Sequence, residues 1–300
     1  MKENNNRLLW LASFIIILLF WILLGSIFIN AFAYFSYKLD SNNIFYNSKL
    51  YHYILSNLPF IAMWLGFYFC FKYINKISLK KILNSSEIIN KKLFLKVFLV
   101  SIIFFSLITF IGYWLNFYEL EYMKNQALIR LLFIPIALIL TPLQVMAEEI
   151  LFRAIILKIA VKEYGRVKYN KKPLLSAILI SFFIGILFII PHLSNPELQD
   201  NFLSSILYYF VFGAFATFTI IISEGLETAI AIHLANNFMI IYLCNYKDSA
   251  LSSISLFVKS NESVASKYFE LITLIILLFM ISYILRDKIK DLIKKKVFIN

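Results

Sequence analysis

Eight long stretches of mostly apolar residues constrain the fold of this chain more than any other feature. They lie near residues 8–35, 54–73, 94–117, 127–152, 174–191, 201–222, 226–243 and 268–285. An α-helix needs about 20 apolar residues to cross the hydrocarbon core of a bilayer. With 61% hydrophobic residues and a mean hydropathy of +0.79, the chain has more apolar surface than a water-soluble core of this length would bury. We therefore predict an all-α fold, a polytopic membrane helical bundle of about eight transmembrane helices, with residues 1–300 as a single membrane domain.

The basic residues predict how this bundle is oriented. The chain carries a net charge of +12, and its lysines and arginines gather in segments 72–96, 153–172 and 286–296. With eight spans, these segments and both termini fall on one side, which the positive-inside rule makes cytoplasmic. The first apolar run is longer than a signal-peptide core, so it is read as a retained anchor. The basic residues flank apolar runs and no nucleic-acid-binding motif accompanies them, so we expect contact with membrane lipid and not with nucleic acid. Frequent Ile, Asn and Lys indicate an AT-rich bacterial genome, so we expect the bacterial plasma membrane.

Two adjacent glutamates interrupt the fourth apolar run. A charge at the bilayer centre costs about 2.5–3.5 kcal/mol on insertion scales, so such residues are candidates for function. Glu149 and Arg153 are four residues apart and share a helix face, which allows an ion pair. Glu148 is rotated away by about 100° and lacks that partner, which suits a general base. The structural alternative is that both glutamates only neutralise basic neighbours at a helix end.

Two histidines and an asparagine occupy later apolar runs. His192 ends the run Phe188-Ile-Ile-Pro-His192, whereas His233 and Asn237 lie four apart within another run and so share a helix face. A single histidine in a membrane helix is more often an interhelical hydrogen-bonding group than a catalyst. Two of them together with a glutamate pair, on three helices, favour a site. We expect the fourth helix to run on to about Tyr164 and the fifth to tilt, so that Glu148, His192, His233 and Asn237 converge.

These side chains offer two kinds of hydrolytic chemistry. In the first, Glu148 takes a proton from water, His192 holds that water and later protonates the leaving amine, and His233 and Asn237 stabilise the oxyanion. In the second, Glu148, His192 and His233 hold a catalytic zinc ion with an open fourth position. No HExxH motif is present, so the zinc ligands would come from different helices. No cofactor is certain, and zinc is the alternative.

Three short motifs carry a family resemblance. Glu148-Glu149-Ile-Leu-Phe-Arg153 matches EExxxR, Phe188-Ile-Ile-Pro-His192 matches FxxxH, and His233-Leu-Ala-Asn-Asn237 matches HxxxN. Each is weak alone, but in this order and in late apolar helices they resemble the CPBP family of intramembrane proteases. This family comprises type II CAAX prenyl endopeptidases and bacteriocin-processing Abi proteins. The resemblance covers about residues 127–243, which we predict to be the peptidase core.

The resemblance implies an intramembrane endopeptidase that cuts a membrane-associated or prenylated peptide or protein. It places the catalytic glutamate at Glu148, its histidine partner at His192 and the oxyanion hole at His233 and Asn237. Glu149 and Arg153 would support the site, and both a glutamate-dependent and a metalloprotease mechanism are compatible with the family. The sequence departs from the family at Ala154, where Gly is common. The alternative is a bacteriocin-immunity or transport protein that uses the same residues for binding or proton relay.

Overall fold

Long apolar helices dominate the computed structural model of this chain, which describes residues 6–40, 44–124, 127–161, 172–200, 202–247 and 249–294. The helices in chain order are α1 (Arg7–Leu39), α2 (Lys49–Asn75), α3 (Leu79–Leu83), α4 (Lys91–Trp114), α5 (Ala127–Glu149, continued as Ile150–Ile155 and Ile156–Val161), α6 (Pro173–His192), α7 (Glu197–Asp200), α8 (Phe202–Ser223), α9 (Glu227–Phe238, continued as Met239–Leu243), α10 (Val264–Ile284) and α11 (Arg286–Lys294). The predicted all-α membrane bundle is confirmed.

Seven of these helices, within the described ranges, are long and apolar enough to cross a membrane: α1, α2, α4, α5, α6, α8 and α10. The predicted span at 226–243 is the exception to the count of eight. It forms α9, a 12-residue α-helix followed by a five-residue π-helical turn. Nearly all of its α-helical residues are buried. The other helices therefore surround α9, whereas a spanning helix at the edge of the bundle would face lipid on one side. The apolar run predicted the helix correctly but did not reveal that protein surrounds it.

A small sheet at one end of the bundle was not predicted. Its strands are β1 (Glu119–Tyr122), β2 (Cys244–Tyr246) and β3 (Phe257–Ser260), in the order β1-β3-β2. β1 pairs with β3 in antiparallel register and β2 pairs with β3 in parallel register. Strands of three or four residues have no room for a readable alternation of apolar and polar side chains, which explains why the sequence pattern missed them.

Helix α5 differs from the predicted fourth span in its length. The predicted run ended at 152, whereas the helix continues without a break through Val161, as expected from the interpretation that it extends past the glutamates. The further continuation to Tyr164 lies outside the described residues. Immediately after Glu149 the helix widens into a π-helical turn, Ile150–Ile155. Such turns are rare and are frequently found at functional sites.

Helices α6 and α8 pack closely where a glycine of one helix meets a side chain of the other. A Cβ atom on Gly213 of α8 would lie 2.9 Å from the Cβ atom of Phe188 on α6. Glycine is therefore required there for the two backbones to approach. The approach buries Phe188 completely in the centre of the bundle, one helical turn before His192.

A buried glutamate fixes the start of α9, the helix that carries His233 and Asn237. Glu227 is 4% exposed, and its Oε1 atom accepts hydrogen bonds from Asn84 Nδ2 at 2.7 Å and from the Asn90 backbone N–H at 2.8 Å. A Cβ atom on Gly225 would lie 2.1 Å from Glu227 Oε2, so the turn before α9 also requires glycine. The segment between α2 and α4 forms only the short helix α3, and it anchors α9 through Asn84 and Asn90.

Replacing Glu227 by alanine should destabilise the protein. The change would leave the buried Asn84 amide without this acceptor, which costs about 1–3 kcal/mol, and would also remove the hydrogen bond from the Asn90 N–H. We expect a lower midpoint of thermal unfolding for purified Glu227→Ala in detergent. The control is Glu121→Ala, which removes an exposed carboxylate on β1 and should leave the midpoint nearly unchanged. Equal midpoints for the two variants would contradict this role of Glu227.

Candidate active site

The glutamates of α5 have different surroundings, although they are adjacent in sequence. Glu149 is fully buried and Glu148 is 9% exposed. The turn of about 100° between neighbouring residues directs one toward the protein core and the other toward an internal cavity. This arrangement matches the expectation that Glu149 pairs with Arg153 while Glu148 faces elsewhere.

A buried chain of charged groups links α5 to α9. Arg153 forms an ion pair with Glu149, and both side chains are fully buried. The same Oε1 atom of Glu149 lies 2.7 Å from His233 Nδ1. Because an ionised carboxylate can only accept hydrogen bonds, Nδ1 of His233 carries a proton and donates it to this bond. The pair predicted from the spacing of Glu149 and Arg153 therefore extends to a third residue that the sequence pattern did not connect.

Two aromatic rings pack against the guanidinium group of Arg153. Its Cζ atom lies 4.0 Å above the ring centre of Phe188 and 5.7 Å from that of Phe212. The Nε and Nη2 atoms are buried and have no hydrogen-bond partner among the described residues. The negative face of an aromatic ring attracts a desolvated cation, which partly compensates these two atoms. Phe188 of the FxxxH motif therefore has a direct role in holding Arg153 of the EExxxR motif.

Glu148 is placed between a glutamine and a histidine. Its Oε1 atom accepts a hydrogen bond from Gln144 Nε2 at 3.2 Å. Its Oε2 atom lies 3.7 Å from His233 Nε2. His233 thus contacts both glutamates, with Nδ1 toward Glu149 and Nε2 toward Glu148. One carboxylate oxygen is held by the protein and the other faces the histidine.

His192 is held by its own helix end. It closes the 3₁₀ turn at the end of α6, where its Nδ1 atom donates to the Phe188 carbonyl oxygen at 2.8 Å. Its ring stacks on Tyr209 with centroids 4.3 Å apart and contacts Phe188 at 4.6 Å. A carbonyl oxygen has no proton to give, so Nδ1 carries one and Nε2 of the neutral ring is left as an acceptor. The described contacts of His192 do not include a hydrogen bond to Glu148.

Asn237 lies one helical turn after His233 and is 4% exposed. Its Oδ1 atom accepts a hydrogen bond from Asn236 Nδ2 at 3.4 Å, and Asn236 is in turn held by Tyr208 Oη at 3.1 Å. An acceptor bond at Oδ1 leaves the amide N–H₂ group of Asn237 as its available donor.

One internal cavity brings the four predicted catalytic residues together. Its volume is about 370 Å³, and Glu148, His192, His233 and Asn237 all line it. The four side chains therefore border the same cavity. Glu148 and His233 are in near contact, whereas His192 shares the cavity through its ring position between Phe188 and Tyr209.

The metal alternative can be tested on the same geometry. The Nδ1 atoms of both histidines are engaged, as is usual when Nε2 binds a metal ion. However, within the described part of the chain no three His, Cys, Asp or Glu side chains lie close enough together to hold one. The set Glu148, His192 and His233 therefore does not form a ligand cluster in this arrangement, and we derive no step through zinc.

Several residues of the site were missed in the sequence. Gln144 precedes Glu148 by one helical turn, and this i, i+4 spacing was the available signal. Tyr208, Tyr209 and Asn236 also line the cavity. The two tyrosines belong to an apolar run in which an aromatic residue is unremarkable, so only their packing against His192 and Asn236 reveals them.

The central part of the chain is similar to a known protein family. Residues 127–239 match the Rce1-like family of type II CAAX prenyl endopeptidases. This Rce1-like segment contains all three motifs and confirms the resemblance to the CPBP intramembrane proteases. It covers α5, α6 and α8 and all but the last four residues of α9.

A bacterial relative shares part of the chain. The "Uncharacterized protein YyaK" of Bacillus subtilis strain 168 is 30% identical over 118 residues. The aligned part is 39% of this chain and 36% of that protein, so the similarity spans about a third of the relative's length. No solved structure shows a significant match.

Loss of Arg153 should be costly for stability. Removing one partner of a buried ion pair costs about 3–5 kcal/mol, because the other charge remains buried. We expect Arg153→Met to unfold at a clearly lower temperature than the parent protein in detergent. Arg286→Met is the matched control, since the ion pair of Arg286 with Asp287 is largely exposed. If both variants unfold at the same temperature as the parent protein, the buried charge chain does not stabilise the fold.

Proposed function

We propose that this chain is an intramembrane endopeptidase that hydrolyses a peptide bond of a membrane-associated or prenylated peptide or protein. The observation that carries the proposal is the position of Glu148. It is a buried carboxylate that faces a cavity, is held by Gln144 and lies 3.7 Å from the imidazole of His233. The match of residues 127–239 to the Rce1-like family supports the same reaction class.

Glu148 and His192 are the proposed groups for activating water. The carboxylate of Glu148 takes one proton from a water molecule in the cavity as this water attacks the peptide carbonyl carbon. His192 accepts a hydrogen bond from the same water through Nε2, because its Nδ1 proton is given to Phe188. The proton held by Glu148 then passes to the leaving amine, directly or through His192, which restores the starting state.

His233 and Asn237 are the proposed donors for the negatively charged oxygen of the tetrahedral intermediate. The amide N–H₂ group of Asn237 can donate without any change of protonation. The Nδ1 proton of His233 is given to Glu149, so donation to the intermediate would require a second proton on Nε2. Glu149 and Arg153 act as positioning residues here, because the hydrogen bond between Nδ1 and Glu149 orients the ring and the ion pair with Arg153 holds that carboxylate in place. Preorganised donors of this kind contribute about 10²–10³ to the rate each.

The first test is the variant Glu148→Gln, which keeps the size and polarity of the side chain. A general base contributes about 10²–10⁴ to the rate, and we expect a loss of this size in the cleavage of membrane-anchored and prenylated test peptides. Glu121→Gln, on the exposed strand β1, is the control and should cleave at the parental rate. Cleavage by Glu148→Gln at that rate, or no cleavage of any test peptide by the parent, removes the peptidase proposal. The second result would favour the immunity or transport alternative.

The second test separates glutamate-dependent from metal-dependent hydrolysis. We expect the purified protein to contain less than about one zinc ion per chain and to keep its activity in a strong chelator, because a catalytic zinc needs three protein ligands. The measurements are elemental analysis and cleavage of the same peptides before and after chelation. Stoichiometric zinc together with activity that is lost in chelator and restored by zinc would assign the activation of the water to a metal ion instead of to Glu148 alone.

A further inference from the structure

The cavity at Glu148 extends toward one end of the bundle. Beyond the four site residues, its walls include Asn195 and Glu197, which follow α6, and Ala250 and Leu251, which lie between β2 and β3. They also include Lys259 on β3 and Lys267 near the start of α10. All of these positions lie at the end of the bundle where the small sheet sits.

The opposite end of the bundle contributes nothing to the cavity wall. Of the described residues in the basic segments 72–96, 153–172 and 286–296, none lines the cavity. The helix core between the site and that end is closed, since Ile150, Leu151 and Ala154 are fully buried, as is the Glu149–Arg153 pair. The cavity is therefore sealed toward the basic end and extends toward the sheet end.

Charge distinguishes the two ends with respect to the membrane. Segments rich in lysine and arginine stay on the cytoplasmic side of a membrane, and α10 connects the two ends directly. It begins beside β3, at Val264, and ends next to α11, which carries Arg286, Lys288 and Lys290. The sheet end of the bundle is thus the non-cytoplasmic end.

The mouth of the cavity carries charges of both signs. Lys259 pairs with Glu270 and Lys267 pairs with Glu262. Glu197 accepts hydrogen bonds from Tyr209 Oη at 2.6 Å and from the Ala250 N–H at 3.2 Å. Burial alone would lower the pKa of Lys259, but the charge of Glu270 raises it above its usual value, so the lysine stays cationic. Paired charges suit a hydrated peptide backbone better than a ligand of one charge.

The inner part of the cavity is aromatic. Trp21, Phe60, Phe105, Phe152 and Phe212 form much of its wall around Glu148 and His233. Such a wall takes apolar side chains. The cavity is therefore polar at its mouth and apolar inside, with Glu148 and its partners within the apolar part.

We propose that the active-site cavity opens on the non-cytoplasmic face and takes a juxtamembrane peptide segment from that side. Apolar residues of this segment would enter the aromatic interior, and its polar residues would remain at the mouth beside Glu197, Lys259 and Lys267. The cleavage of this segment rests on the proposed peptidase function, whereas the side of access does not.

The side of access is tested by thiol labelling in intact cells. Ala250→Cys places a thiol at the exposed mouth, and Asn236→Cys places one deep in the cavity beside Asn237. Lys80→Cys is the control at the basic end, on exposed helix α3. The probe is a small, membrane-impermeant methanethiosulfonate. Parent and variants all carry Cys244→Ser, because the native Cys244 lines the cavity itself, and the parent then reports labelling of the buried Cys70, which does not line it. Thiol reactivity depends on access to solvent.

We expect positions 250 and 236 to react in intact cells at least about tenfold faster than the parent, and position 80 to react only after permeabilisation. Reaction of position 80 but not 250 in intact cells would overturn the proposal. So would protection of position 236 both before and after permeabilisation, since the mouth would then not lead to the site. The variant Glu148→Gln should give the same labelling pattern, because this readout does not require catalysis.

The substrate side is tested with two single-span reporters that carry the same cleavable segment. One reporter places the segment next to the span outside the cell, and the other places it next to the span inside. We expect cleavage of the outside reporter alone, and loss of that cleavage in Glu148→Gln. Cleavage of the inside reporter would overturn the assignment of the substrate side. Failure to cut either reporter, with the expected labelling pattern, would remove the peptidase proposal and leave the side of access established.

Discussion

The buried contacts among Arg153, Glu149 and His233 are the interaction on which the rest of the site depends. Three ionisable groups with almost no exposure would be costly in a lipid-surrounded bundle if any one lacked its partners. Each is compensated by another: the guanidinium by Glu149 and the ring of Phe188, the carboxylate by N–H groups of Arg153 and His233, and the imidazole by the carboxylate. Because these contacts join α5, α6 and α9, the charge chain fixes the relative positions of the helices that carry all three motifs.

These contacts explain why the two adjacent glutamates have different surroundings. The Oε1 atom of Glu149 accepts hydrogen bonds from Arg153 and His233, and the side chain is fully buried. Glu148 accepts a hydrogen bond from Gln144 and lines the cavity, with Oε2 near His233. The imidazole between them is oriented by one carboxylate toward the other. Helix geometry alone thus directs one of two neighbouring residues to the protein core and the other to the cavity, as the proposed roles of Glu149 and Glu148 require.

The sequence predicted the bundle, and it singled out four polar residues that line one cavity, because both signals are local. Apolar runs of about 20 residues specify membrane helices, and polar residues within such runs stand out. The enclosure of α9 was not predictable in this way, since a helix buried in protein and one exposed to lipid have the same apolar composition. The three-residue strand β2 and the hydrogen bonds of Glu227 with Asn84 and Asn90 were not predicted either. They depend on contacts between segments far apart in the chain. The contact of Gln144 with Glu148 could have been predicted from their i, i+4 spacing. It was missed because a neutral amide within a helix is a weaker signal than a charge.

The π-helical turn at Ile150–Ile155 has a consequence for how related chains should be aligned. In such a turn each carbonyl is bonded five residues onward instead of four, which accommodates one additional amino acid without changing the face on which the following helix continues. A homologue with a regular helix in this place would therefore carry one residue fewer between its glutamate pair and the end of the helix. The physically correct sequence alignment would then place a gap inside this helix, although gaps within helices are normally avoided.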